Sequence, residues 1–182
     1  PAPDQAAAAN AAGVPTMAEF FGTDLAGKLV ADGKRADVII ANNVMAHVPD
    51  LNGFVAGMAM LIKPDGLITV ENPYVRDLIE HCEFDTIYHE HFCYYSCTAV
   101  KNLVNRHGLF LNDVEYFPEL HGGTLRWHIQ PVDAPTERVK QYLANEMTAG
   151  MTRPDFYVNF GGRVEQLRTD LLAMLRGFKA EG

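Results

Sequence analysis

The chain has 182 residues and a mass of 20.1 kDa, with 48% apolar and 21% charged residues and a formal net charge of -8. This is enough for one ordinary domain with an appendage, too little for two large domains, and too apolar for a disordered chain. The basic residues of this acidic chain (pI near 5.3) are scattered, so no cationic stripe exists for a nucleic-acid partner, and no apolar run approaches the roughly 20 residues that cross a bilayer.

The first segment, Pro1-Ala2-Pro3, carries neither an initiator Met nor a targeting signal, and the chain reads as a fragment. Asp4 is expected to cap a helix over Ala6 to Ala12, which Gly13 and Pro15 end. An extended run, Thr16 to Phe21, follows, then a helix capped by Thr23 and stopped near Gly33. Ala36 to Ala41 reads as a fully buried strand, and Asp50 opens a helix with Phe54, Val55, Met58 and Leu61 on its apolar face. Leu67 to Val70 reads as a second buried strand, so strand and helix alternate as in parallel α/β units. After an aromatic-rich stretch, Thr98 to His107 reads as a helix ended by Gly108. Leu109 to Phe117 and Thr124 to Gln130 read as adjacent antiparallel strands. From Pro135 on the chain is charged and helix-prone, with Val139, Leu143 and Met147 on one face and Val164, Leu167, Leu171 and Leu175 on another, which predicts two helices.

Three cysteines, Cys82, Cys93 and Cys97, are an odd number in a chain without a secretory leader, which predicts free thiols and a cytoplasmic protein. Tyr88-His89-Glu90-His91 sets four polar groups among Phe84, Phe92, Tyr94 and Tyr95. Aromatic walls around a His and a Glu favour an effective general base, although one surface His and one hydrogen-bonded core His would also account for the pair. No metal is expected on these residues: His47 and Glu71 add ligand types, but neither His-Glu-x-x-His nor a paired Cys-x-x-Cys is present. Asn42-Asn43-x-x-x-His47 and Glu71-Asn72-Pro73-Tyr74 each follow a predicted strand, where open α/β sheets bind their ligands. In His121-Gly122-Gly123-Thr124-Leu125-Arg126 the glycines would let a ligand approach the backbone and Arg126 offers a fork for phosphate or carboxylate; a hairpin turn with a surface Arg is the alternative.

Together, Ala41-Asn42-Asn43-Val44-x-Ala46-His47-Val48-Pro49-Asp50, Glu71-Asn72-Pro73-Tyr74, Phe84 through Phe92 and His121 through Arg126 resemble the S-adenosylmethionine-dependent sugar C-methyltransferase family, over essentially the whole chain. The resemblance implies C-methylation of a nucleotide-linked keto-deoxysugar through an enolate. It implies His91 as base, with Tyr88, Glu90 and His47 lining the same pocket; Glu90 is expected as the orienting or charge-balancing partner of His91, and Tyr88 and His47 as donors to the enolate. Phe20, Phe21 and Asn42 are the expected cofactor contacts, and Asn43, Glu71, Asn72, Tyr74, His121 and Arg126 the expected substrate contacts. An O- or N-methyltransferase of the same fold and a non-catalytic binding relative are the alternatives. The fold implied is a partial Rossmann-like α/β sheet, the distal part of a methyltransferase domain over residues 1–131. A helical connector over 132–182 would lead toward a C-terminal domain. The family's zinc module, its glycine-rich loop and its ribose-binding acid would fall before Pro1.

Overall fold

The structure is a computed structural model describing residues 2–181. Helices α1 (Pro3–Ala11) and α2 (Thr23–Ala31) precede β1 (Ala36–Asn42), α3 (Leu51–Leu61), β2 (Ile62–Pro73) and α4 (Val75–His81). Helix α5 (Cys97–Asn105), the hairpin of β3 (Phe110–Phe117) and β4 (Thr124–Gln130), and helices α6 (Glu137–Ala149), α7 (Asp155–Val158) and α8 (Phe160–Glu181) follow. The strands form one sheet in the order β1-β2-β4-β3. The β1–β2 pair is parallel, while β4 runs antiparallel to both β2 and β3. The crossover through α3 puts the carboxyl ends of β1 and β2 side by side, and a mixed α/β sheet of the expected class results.

One face of the sheet is the core. Ile68 and Val70 of β2, Leu125, Trp127 and Ile129 of β4, and Val114 of β3 are all buried there against Val55 and Met58 of α3 and Val100 and Val104 of α5. Each such side chain contributes about 1.5–3 kcal/mol by leaving water. The caps hold where the sequence offers a suitable oxygen: Asp50 accepts from Gly53 N at 2.9 Å, and Ser96 Oγ from Ala99 N at 3.1 Å. Asp4 and Thr23 do not cap. Pro3, whose fixed φ suits a first helical position, starts α1 one residue earlier, and Thr23 is already inside α2.

Strand β1 forms at its predicted place but is not fully buried. Ile39 and Ala41 face the core, whereas Val38 is 54% and Ile40 70% exposed, because β1 is an edge strand and its second face is uncovered among the described residues. Thr16 to Phe21 is without a ladder partner. The tail holds three helices rather than two. Helix α6 packs into the body with Val139 buried, but Met147 is 67% exposed and Glu146 turns inward in its place. Its carboxylate accepts from Cys97 N at 2.7 Å, Thr98 N at 2.8 Å and the Tyr74 hydroxyl at 3.0 Å, so it joins α6, the start of α5 and the end of β2. Burial, then the Glu146 charge, pushes both the Tyr74 hydroxyl and the Cys97 thiol up. Helix α8 buries no residue.

Candidate active site

Asn43 follows β1 with φ at 53°, a left-handed conformation that Asn tolerates, and its N–H donates to Glu71 O at 2.7 Å. The turn Met45–His47 comes next, with Met45 and Ala46 anchored in the core. Against it lies the segment from Phe84 to Tyr95: Phe92 N donates to Ala46 O at 2.9 Å, and His47 Nδ1 sits 3.0 Å from Glu90 O. Backbone carbonyls thus hold both polar loops together above the carboxyl ends of β1 and β2.

A cleft of about 330 Å3 opens there, lined by Asn43, Ala46, His47, Asn72, Pro73, Asp85, Thr86, Tyr88, His91 and His121. Six residues singled out in four distant sequence strings therefore share one site: Asn43, His47, Asn72, Tyr88, His91 and His121. Asp85 and Thr86 are additions that the sequence offered only as parts of a string. No lysine or arginine lines this cleft among the described residues, and Asp85 is acidic, so the site suits an uncharged polar group and disfavours phosphate.

His91 is half-buried, with Nδ1 2.9 Å from Thr86 O and Nε2 3.0 Å from the Tyr88 hydroxyl. A carbonyl only accepts, so Nδ1 carries the hydrogen and Nε2 presents its lone pair, to which Tyr88 donates. The rings pack closely, with the His91 centroid 4.1 Å from Tyr88 and 4.8 Å from His47, both tilted, and 5.7 Å from Tyr94, edge to face. The partner that orients His91 is the Thr86 carbonyl and not Glu90: the Glu90 carboxylate is exposed and lies 3.9 Å from His89 Nε2. A turn at His89 and Glu90, closed by His91 N donating to Tyr88 O at 3.0 Å, leaves those two side chains outward while His91 turns in.

Four expected contacts lie elsewhere. Glu71 and Arg126 are register partners in adjacent strands and form an ion pair, with 2.8 and 3.0 Å contacts to Glu71 Oε2. Arg126 also reaches Glu115 Oε2 at 3.2 Å and stacks over Phe117, so its fork is occupied on the sheet face opposite the core. Asn42 is the register partner of Glu71 on that same face. Tyr74 is a buried core residue bound to Glu146. The paired glycines also serve the chain itself. A Cβ at Gly122 would meet the Glu83 carboxylate, and one at Gly123, where φ is +129°, would meet that of Asp77. Asp77 is buried, which pushes its carboxyl up, and the neighbouring Tyr116 hydroxyl is pushed up to about 12 by burial and by Asp77. Gly123→Ala is expected to cost about 2 kcal/mol or more through φ strain and collision; a denaturation midpoint equal to that of the unchanged protein would refute this packing.

A second cleft, about 520 Å3, adjoins the first at His47 and is walled by Phe20, Phe21, Val44, Val48, Pro49 and Phe54, with Glu19 and Asp50 at its polar rim. Phe21 meets Phe54 edge to face at 5.4 Å, while Phe20 is 79% exposed. Flat apolar walls with a few acceptors fit an adenine ring. Among the described residues no group of three or more His, Cys, Asp and Glu side chains is placed to hold a metal ion, and no helix is long and apolar enough to cross a membrane.

Residues 3–113 match the methyltransferase domain family and residues 119–182 the C-methyltransferase C-terminal domain family. C-methyltransferase NovU of Streptomyces niveus is 33% identical over 185 residues, covering 100% of this chain, which spans 44% of that relative's length. Among solved structures, magnesium protoporphyrin IX methyltransferase (ChlM) from Synechocystis PCC 6803 with bound SAH aligns at a TM-score of 0.42 with 10% identity, over 53% of this chain and 45% of that one. M1.HpyAVI aligns at a TM-score of 0.39 with 14% identity, over 61% and 51% of the two chains. On the two family matches and the 33% identity to NovU across the whole of this chain, the chain belongs to the family of S-adenosylmethionine-dependent C-methyltransferases.

Proposed function

We propose that the full-length protein methylates a carbon next to the ketone of a nucleotide-linked keto-deoxysugar, and that the cleft around His91 is where the sugar is activated. The observation that carries this reading is the Tyr88–His91 pair, a base with its lone pair set by Thr86 O and facing a polar cleft without lysine or arginine among the described residues. A carbon acid must lose a proton before it can attack a methyl group, and an imidazole with Nε2 free of hydrogen is suited to take it, directly or by way of the Tyr88 hydroxyl. When bound, S-adenosylmethionine supplies an electrophilic methyl group. Phe20 and Phe21 would hold its adenine in the aromatic cleft, and His47 stands where the two clefts meet. His47 Nδ1 donates to Glu90 O, which leaves its Nε2 side to face ligands, while Asn43, Asp85 and His121 offer hydrogen bonds to ring hydroxyls. The absence of lysine and arginine from the cleft lining among the described residues supports the sugar, and not the diphosphate, as its occupant. The soluble, cytoplasmic setting of nucleotide-sugar chemistry agrees with the thiol-bearing composition.

The test is the product. Full-length protein incubated with S-adenosylmethionine and dTDP-4-keto-6-deoxyglucose is expected to give a methyl group on carbon in the NMR spectrum of the sugar. An O-methyl product would overturn the reading in favour of a hydroxyl nucleophile that needs no base beside a carbon acid.

A further inference from the structure

Asn72 is 1% exposed, yet neither its Nδ2 nor its Oδ1 has a hydrogen-bond partner among the described residues. A buried amide left so costs about 1–3 kcal/mol for each orphan group, and native proteins keep few of them without a use. The surroundings suggest the use. A void of about 10 Å3, with room for one group the size of a water or a hydroxyl, is lined by Asn72 and by Thr86, His91, Cys93 and Tyr94 of the facing segment. Ala46, Asn72, Pro73, Thr86 and His91 line both this void and the open cleft, so the two spaces meet beside the base. Asn72 itself is held by β2, where its backbone pairs in register with Leu125, so the amide is fixed on a rigid strand.

We infer that Asn72 is a specificity-determining residue, whose orphan amide reads a hydroxyl on the ring carbon beside the ketone as the substrate enters between it and His91. A hydroxyl is the one common sugar group that both donates and accepts, and with the neighbouring ketone it presents the donor and acceptor that an amide matches. This rests on the keto-sugar reading above. A site built around unpaired buried polar groups discriminates strongly, because an analogue lacking the hydroxyl leaves them unpaired.

Asn72→Leu in the full-length protein tests the inference by two independent readouts. The first needs no substrate: removing two orphan polar groups for an apolar side chain of similar size is expected to raise the melting temperature by about 2–4 °C. The second is kcat/KM for C-methylation of dTDP-4-keto-6-deoxyglucose, expected to fall by about 10- to 1000-fold. A lowered or unchanged melting temperature would make the amide a structural group and overturn the inference, as would unchanged kcat/KM. Should the unchanged protein fail to methylate this sugar at all, the keto-sugar reading fails, and the melting temperature alone still decides whether the amide is kept for a ligand.

Discussion

Replacing His91 with Asn in the full-length protein is expected to lower kcat for methyl transfer by about 100- to 10,000-fold, the usual contribution of a positioned general base, while S-adenosylmethionine affinity is unchanged. The asymmetry follows from placement. His91 lines the polar cleft with Tyr88 and Asn72, whereas the aromatic cleft proposed for the adenine is lined by Phe20, Phe21 and Phe54 and touches the first cleft only at His47. Asn is close to imidazole in reach on the Nδ1 side and keeps a donor for Thr86 O, so the segment from Phe84 to Tyr95 should keep its course, but no basic nitrogen remains opposite Tyr88. Single-turnover kinetics with calorimetric titration of S-adenosylmethionine check both halves; unchanged turnover removes His91 from the role of base.

The largest loss of stability is expected at Glu146, a position with no contact to either cleft. Its carboxylate is 0% exposed and is the acceptor for Cys97 N, Thr98 N and the Tyr74 hydroxyl. The two amides are the first orphan donors of α5, where a negative charge also meets the positive end of the helix dipole. Glu146→Ala strands three buried donors and leaves a cavity, for an expected cost of about 3–5 kcal/mol. Glu146→Gln keeps one carbonyl acceptor and should lose less. Urea denaturation monitored by Trp127 fluorescence reads this well, because Trp127 is fully buried and packs edge to face on Tyr95, 6.0 Å away beside the same helix start. Equal midpoints for Glu146→Ala and the unchanged protein would show that the buried carboxylate holds nothing.

Strand and helix order was legible in the sequence because apolar runs and caps act locally. Val38-Ile39-Ile40 announces a strand, but its burial depends on which strands flank it and what covers each face, and the run is half exposed. Arg126 looked like a ligand contact since its partner Glu71 lies 55 residues away, across a strand register that no local pattern reveals. Glu146 was hidden for the opposite reason: a Val139, Leu143, Met147 face is a sound amphipathic reading, and a buried carboxylate one position off that face has no compositional signal. The candidate cleft was more legible, because side chains of distinct chemistry at the carboxyl ends of two parallel strands converge by the geometry of the sheet. The group that orients His91 could not be read at all, since it is the main-chain carbonyl of Thr86, and carbonyls are invisible in a sequence.

Proton removal from carbon is the central step of the proposed reaction, and it is measurable without methyl transfer. Full-length protein in D2O with dTDP-4-keto-6-deoxyglucose and S-adenosylhomocysteine should exchange the sugar proton beside the ketone for deuterium, seen by NMR, and His91→Asn should abolish that exchange. Exchange at the same rate in both proteins would contradict the assignment of the Tyr88–His91 pair as the base.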